Sequence, residues 1–314
     1  MFGILNLNKP VGYTSRDAVN RIQRLIRPVK VGHAGTLDPL AHGVLVLCLG
    51  PATRLIEKVQ QMPKTYRGTF RLGCHSTTDD TEGELVPLPG AIRPTHAAIL
   101  AALEKFIGQI QQRPPAYSAI KIGGKRAYHL ARQGQLISLP PRPVTIHSIA
   151  IDYYEYPELV LDIVCGSGTY IRSLGRDLAE AVGTAAVMTG LIRTAIGPYA
   201  IDQALDPQNV THGQLTKCLQ SPLTTLGDMP RVQLTDSQIA DVQHGRFILH
   251  DTAEDFESTK GLESAKKRVS SHKEPRLKST TEIAALDSEN HLVALLVPKP
   301  GNRWGPSRNF PLPG

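Results

Sequence analysis

Apolar positions recur along this chain with two periods, and the period changes mark the elements. "FGILNLN" (Phe2–Asn8) is an apolar stretch that stops at Lys9-Pro10 and predicts a strand. Ala18, Val19, Ile22, Leu25 and Ile26 then fall at helical spacing behind Thr14 and Asp17, which are placed like a capping box. "VLVLCLG", ending at Gly50, is a continuous apolar run and predicts a buried strand. "KTYRGTFRLG" (Lys64–Gly73) alternates, with Tyr66, Phe70 and Leu72 on one face and Arg67, Thr69 and Arg71 on the other. "THAAILAALEKFIG" predicts a helix opened by Thr95 and closed by Gly108. "AYSAIKIGGKRAYHLARQG" predicts a strand, a Gly-Gly turn and a short helix. "LVLDIVC" (Leu159–Cys165) is a further strand, and "GSGTYIRSLGRDLAEAVG" a loop entering a helix that stops at Gly183. No regular strand–helix–strand rhythm runs through these elements. The pattern therefore predicts an α+β fold with a mixed, mainly antiparallel sheet.

Past residue 228 the character changes, which predicts a main domain over 1–228 and a small β-rich module over 229–314. "VQLTDSQIADVQHG" reads as a helical lead-in, and "IAALDSENHLVALLVPKP" as a hairpin turning near Ser288–Asn290. Between them, 251–282 holds seven acids, seven bases and few apolar residues. It has too little apolar surface to offset its ordering entropy, and is expected to be a disordered insertion.

Composition narrows the class. The chain has 314 residues, 41% hydrophobic and 20% charged, and no apolar run approaches a membrane span. The first residues lack the pattern of a signal peptide, so a cytoplasmic protein is expected, with no membrane partner. Cys48, Cys74, Cys165 and Cys218 are scattered and form no CxxC pair, which disfavours zinc and redox motifs. The net charge of +7 is suited to a polyanionic partner without proving one.

Several chemistries fail on spacing. "GSGTYI" places Ile171 where a dinucleotide fingerprint needs its third glycine. There is no P-loop, no HExxH and no GxSxG. One carboxylate stands out. Asp38 lies in "GHAGTLDPLAHGVLVLCLG", between glycines that allow close approach of a ligand and an apolar run that anchors the loop. Asp before Pro is also a common turn former, so "TLDP" alone does not separate function from structure. A glycosidase would need a second acid, which the sequence does not single out. Arg172 and Arg176 share a helix face, and an arginine beside Asp38 would stabilise its charge.

That stretch closely resembles motif II of the TruB family, the bacterial tRNA pseudouridine-55 synthases. "GILNLNKPVGYTS", "KTYRGTFRLG", "RPPAYSAIKIGGKRAYHLARQG" and "CGSGTYIRSLGRDL" resemble further signatures of the family, in the family's order, over roughly residues 3 to 195. The resemblance implies an isomerase that detaches uracil from C1′ of its ribose, turns it and rejoins it through C5. It implies no cofactor and no metal, tRNA as partner, and a single polypeptide acting as a monomer. Asp38 takes the nucleophile's place. Tyr66 resembles the tyrosine that stacks on the target base and assists proton removal from C5, Tyr170 a substrate-contacting tyrosine, and Arg172 the arginine paired with the nucleophile. His33 resembles the histidine beside the flipped-out nucleotide, and Leu191 a pocket-wall leucine. Lys9 and Asp80 match positions near the site. By resemblance, 1–228 is the catalytic domain and 229–314 a PUA-like module that contacts RNA. A non-catalytic tRNA-binding or tRNA-folding protein on the same fold is the alternative, and a retaining glycosidase the more distant one.

Overall fold

The computed structural model of the chain describes residues 1–118, 121–122, 125–126, 139–249 and 282–311. The short helix expected after the Gly-Gly turn and nearly all of the 251–282 insertion lie outside the described residues. The chain divides into two units. The larger holds Leu5–Leu47 and Val59–Lys217; the smaller holds Met1–Ile4, Cys48–Lys58 and Cys218–Gly314.

The larger unit is built on a nine-stranded sheet. Its main strands are β1 (Gly3–Lys9), β2 (Val31–His33), β3 (His42–Leu49), β4 (Lys64–Leu72), β5 (Gly108–Gln112), β6 (Arg142–Glu155), β7 (Glu158–Cys165), β8 (Ala186–Ile196) and β9 (Tyr199–Ala200). The path runs β1-β3-β8-β4-β7-β6-β5, with β2 on β3 and β9 on β8. β8 pairs parallel with β3 and antiparallel with β4, and the pairings β4–β7, β7–β6 and β6–β5 are all antiparallel. This is the mixed, mainly antiparallel sheet that the strand pattern predicts. The continuous apolar run in β3 is buried along its length, as a central strand requires.

Three helices lie against the sheet: α1 (Ser15–Leu25), α3 (His96–Leu103) and α4 (Ile171–Ala181), with a short α2 (Ile56–Gln61) between β3 and β4. The capping box at α1 forms in full: the Thr14 side chain accepts from the Asp17 amide, and the Asp17 carboxylate accepts from the Thr14 amide. α3 is shorter than the apolar pattern predicts. It tightens into a 3-10 turn at Glu104–Phe106, and Gly108, at φ +92°, opens β5 rather than closing the helix. Phe70, Leu161, Ile163, Leu174, Leu178 and Met188 form the core between α4 and the sheet.

The smaller unit carries a five-stranded sheet. Its strands are β10 (Arg231–Gln233), β11 (Ile248–Leu249), β12 (Ile283–Leu286), β13 (Leu292–Lys299) and β14 (Arg303–Asn309), in the order β10-β12-β13-β14-β11. "VQLTDSQIADVQHG" is not helical from its start. β10 takes its first residues and pairs parallel with β12, and α5 (Asp236–Gln243) begins only after the Thr235 cap. The β12–β13 hairpin turns where the sequence places it. Asp287 accepts from the amides of Glu289 and His291, and Asn290 adopts φ +63°. The rings of Phe2 and Phe310 stack at 5.5 Å within this unit.

Candidate active site

A cavity of about 340 Å³ opens in the larger unit, within the range of about 300–1,000 Å³ common for small-ligand clefts. Asp38, Tyr66, Tyr170, Arg172 and Leu191 all line it. They arrive from three directions: the β2–β3 loop, the neighbouring strands β4 and β8, and the start of α4. Asp38 is the only carboxylate among the described residues that line the cavity.

Arg172 organises the floor. Nη2 meets the Asp38 carboxylate at 3.1 Å and the Tyr117 carbonyl at 3.2 Å. Nη1 meets Asp80 at 2.9 Å and the Thr78 carbonyl at 3.0 Å. The arginine side chain is 8% exposed and that of Asp38 is 38% exposed, so the pair is buried on the guanidinium side and open on the carboxylate side. Asp80 lies behind Arg172, itself buried, and accepts from the Thr78 hydroxyl and the Glu82 amide. One turn further along α4, Arg176 repeats the arrangement with Asp79 at 2.7 Å. The shared helix face read from the sequence thus grips two consecutive aspartates, and Asp79 sits at φ +60°, a backbone state that Asp tolerates better than most residues.

Tyr170 is fixed at the helix start. The Gln112 side chain accepts from the Tyr170 amide at 2.8 Å and donates to its carbonyl at 3.0 Å, replacing a side-chain cap. The Arg142 guanidinium lies over the Tyr170 ring at 4.9 Å and donates to the Gly168 carbonyl. Burial pushes the Tyr66 phenol up, with the charge of Arg193 acting the other way.

Lys9, His33 and Asp80 do not line the cavity. Lys9 is fully buried, and its ammonium donates to the Pro10 and Tyr13 carbonyls at 2.9 and 2.6 Å, holding its own loop in shape. Burial lowers its pKa to about 8, with Asp38 acting in the opposite direction. His33 ends β2 just before the loop; burial lowers its pKa and favours the neutral imidazole.

Four charged or aromatic residues of the cavity lining went unassigned in the sequence: Arg193, Lys64, Arg142 and Tyr117. Two of them carried a signal. Strand side chains alternate, so Arg193 shares a face with Leu191, and Lys64 with Tyr66. Arg142 and Tyr117 carried none, because only the tertiary fold brings them to the rim. Among the described residues no cluster of His, Cys, Asp and Glu could hold a metal ion.

Comparison with known proteins gives this arrangement a family. Residues 23–171 match the N-terminal domain of TruB family pseudouridylate synthases. A tRNA pseudouridine synthase B of Rhodopirellula baltica is 43% identical over 258 residues, 77% of this chain and 74% of that protein. One from Dehalococcoides mccartyi is 36% identical over 314 residues, 99% of this chain and 97% of the relative. Among solved structures, a chain of an H/ACA ribonucleoprotein bound to a substrate RNA containing 2′-deoxyuridine has the same fold, with a TM-score of 0.70 at 22% identity, covering 99% of this chain and 86% of that one. Identity of 36–43% over about three quarters or more of each chain leads to one conclusion: the protein is an isomerase that belongs to the TruB family of pseudouridylate synthases.

Proposed function

We propose that the chain converts uridine to pseudouridine at position 55 in the T-loop of tRNA, with Asp38 as the nucleophile. The Asp38 carboxylate carries this reading. It is held on one side by a buried guanidinium and stands open to the cavity on the other, so it is oriented and accessible, as a nucleophile must be. In the isomerisation the N1–C1′ bond breaks, the uracil turns and a C5–C1′ bond forms. C5 gives up its proton and N1 gains one, so the atoms balance with no co-reactant.

A uracil in a folded loop must leave its stack before Asp38 can reach it, at a cost of about a few kcal/mol. Tyr66 offers an aromatic face that offsets part of that cost. Burial keeps its phenol protonated, which suits it to stacking and to hydrogen bonding near C5 better than to acting as a strong base. Leu191 supplies apolar wall and Tyr170 a second aromatic contact. Lys9, His33 and Asp80 act from outside the cavity, through the loops and through Arg172. Among the described residues the cavity holds a single acid, which speaks against a retaining glycosidase, since that needs two carboxyl groups about 5 Å apart. In this reading 1–228 catalyses and 229–314 contacts RNA, in the cytoplasm where tRNA matures.

The test is tritium release from a tRNA transcript labelled at C5 of uridine. Wild type is expected to release about one equivalent per tRNA. Asp38→Ala is expected to release none while binding RNA within about threefold of wild type, because the carboxylate faces the reacting carbon rather than the phosphates. Turnover surviving in Asp38→Ala would remove the aspartate from the chemistry. Release from a transcript whose only labelled uridines lie outside the T-loop would move the target site.

A further inference from the structure

Arg193 is a guanidinium with only 2% of its surface exposed, and no carboxylate among the described residues lies within ion-pair distance of it. It hydrogen-bonds the Tyr66 side chain and three backbone carbonyls. Nε donates to Val44 at 2.7 Å, Nη2 to Gly35 at 3.1 Å and Nη1 to Thr36 at 3.4 Å. Two of the three belong to the segment that leads directly into Asp38.

The rest of that segment is tied down as well. The Ser15 hydroxyl accepts from the Leu37 amide at 2.9 Å and meets the Leu37 carbonyl at 3.2 Å. The Gly12 amide donates to the Pro39 carbonyl at 2.8 Å. Every residue from Gly35 to Pro39 except Asp38 therefore has a backbone group held by β8, α1 or the loop after β1. Close approach is built in: a Cβ at Gly43 would lie 2.3 Å from the Arg193 carbonyl oxygen, and Gly35 has φ +121°.

We infer that Arg193 is a positioning residue, whose planar fork fixes the Gly35–Thr36 backbone and thereby the angle at which Asp38 meets the ribose. The inference rests on Asp38 as the nucleophile. A buried charge is costly, and a core built only for stability could fill this space with an apolar side chain. What the fork supplies is several donors in fixed directions, which one ammonium cannot imitate. The same charge reaches further into the cavity. It opposes the effect of burial on the Tyr66 phenol and helps lower the pKa of Lys64 to about 8.

The experiment compares full-length wild type, Arg193→Lys and Arg193→Met by two readouts. The first is amide hydrogen exchange in the free protein over Gly35–Ala41, where the Leu37 and Ala41 amides are hydrogen-bonded. Both variants are expected to exchange there about tenfold faster, with the β4 strand unchanged. The second is tritium release, where kcat is expected to fall about 100-fold with KM for tRNA within about threefold, the mark of misplacement rather than lost binding. Unchanged exchange in the loop overturns the inference whatever the activity. Restoration of both readouts by Arg193→Lys overturns it too, since charge alone would then suffice. Loss of cooperative melting in both variants would make Arg193 a stability residue and also overturn it. If wild type releases no tritium while the variants loosen the loop, the functional reading fails, and with it the positioning of a nucleophile; Arg193 then only braces the loop.

Discussion

Lys64 illustrates what burial does to a charge beside an active site. Its ammonium donates to the Met62 carbonyl at 2.8 Å and to the Gln60 carbonyl, yet burial and the nearby Arg193 bring its pKa down to about 8. Between about pH 8 and the unfolded value of 10.5, the unfolded chain therefore binds more protons at this site than the folded one, and stability rises with pH through that window. Lys64→Met removes the titration. Denaturant melts at pH 7 and pH 9.5 should show wild type gaining stability relative to Lys64→Met at the higher pH, whatever the offset at pH 7; a constant difference would mean that the ammonium is not destabilised by burial. Asp80 poses the opposite problem, a buried carboxylate whose partner is a buried arginine. Asp80→Ala leaves Arg172 with one acid in place of two, and is expected to cost about 3–5 kcal/mol in a melt. It should also lower tritium release roughly tenfold or more, since Arg172 loses the contact that fixes its reach toward Asp38.

At the scale of elements, α4 does two jobs that its sequence separates by face. Arg172 and Arg176 look toward the aspartates, while Gly175 lets the helix settle on β4. A Cβ at Gly175 would lie 2.1 Å from Phe70 Cε1, and Phe70 is a fully buried ring with no room to retreat. Gly175→Ala is therefore expected to destabilise by about 1–3 kcal/mol through overpacking, more than the roughly 1 kcal/mol that alanine gains in helix propensity. Phe70→Leu in the same background should recover part of the loss, and strict additivity of the two changes in a double-mutant cycle would contradict the contact. The capping box at Thr14, the buried β3 run and the alternation of β4 could all be read from local spacing. The end of α3 and the start of β10 could not. In each, a short apolar stretch suits a helix or a strand equally, and sheet pairing decides.

For the whole molecule, the charge distribution bears on RNA. The 251–282 segment balances its seven acids with seven bases, so the net +7 resides in the rest of the chain. The logarithm of tRNA affinity should accordingly fall linearly with log salt, and a flat dependence between about 50 and about 200 mM would argue against phosphate contacts as the main source of binding. Deleting 252–281 is expected to leave both the melt and the salt slope as they are in the full chain.

The sequence by itself determined the fold class, the motif that carries Asp38, and the family, because these depend on local periodicity and on motifs whose residues lie close together. Only the tertiary structure decided which groups surround Asp38. Asp80 reaches Arg172 across 92 positions, and Gln112 clamps Tyr170 across 58. Arg193 reaches the Asp38 loop across 158, through backbone carbonyls that every residue type possesses. Contacts made to side chains of distinctive chemistry leave a trace in a motif. Contacts made to the main chain leave none, and they become visible only when the sheet brings the strand to the loop.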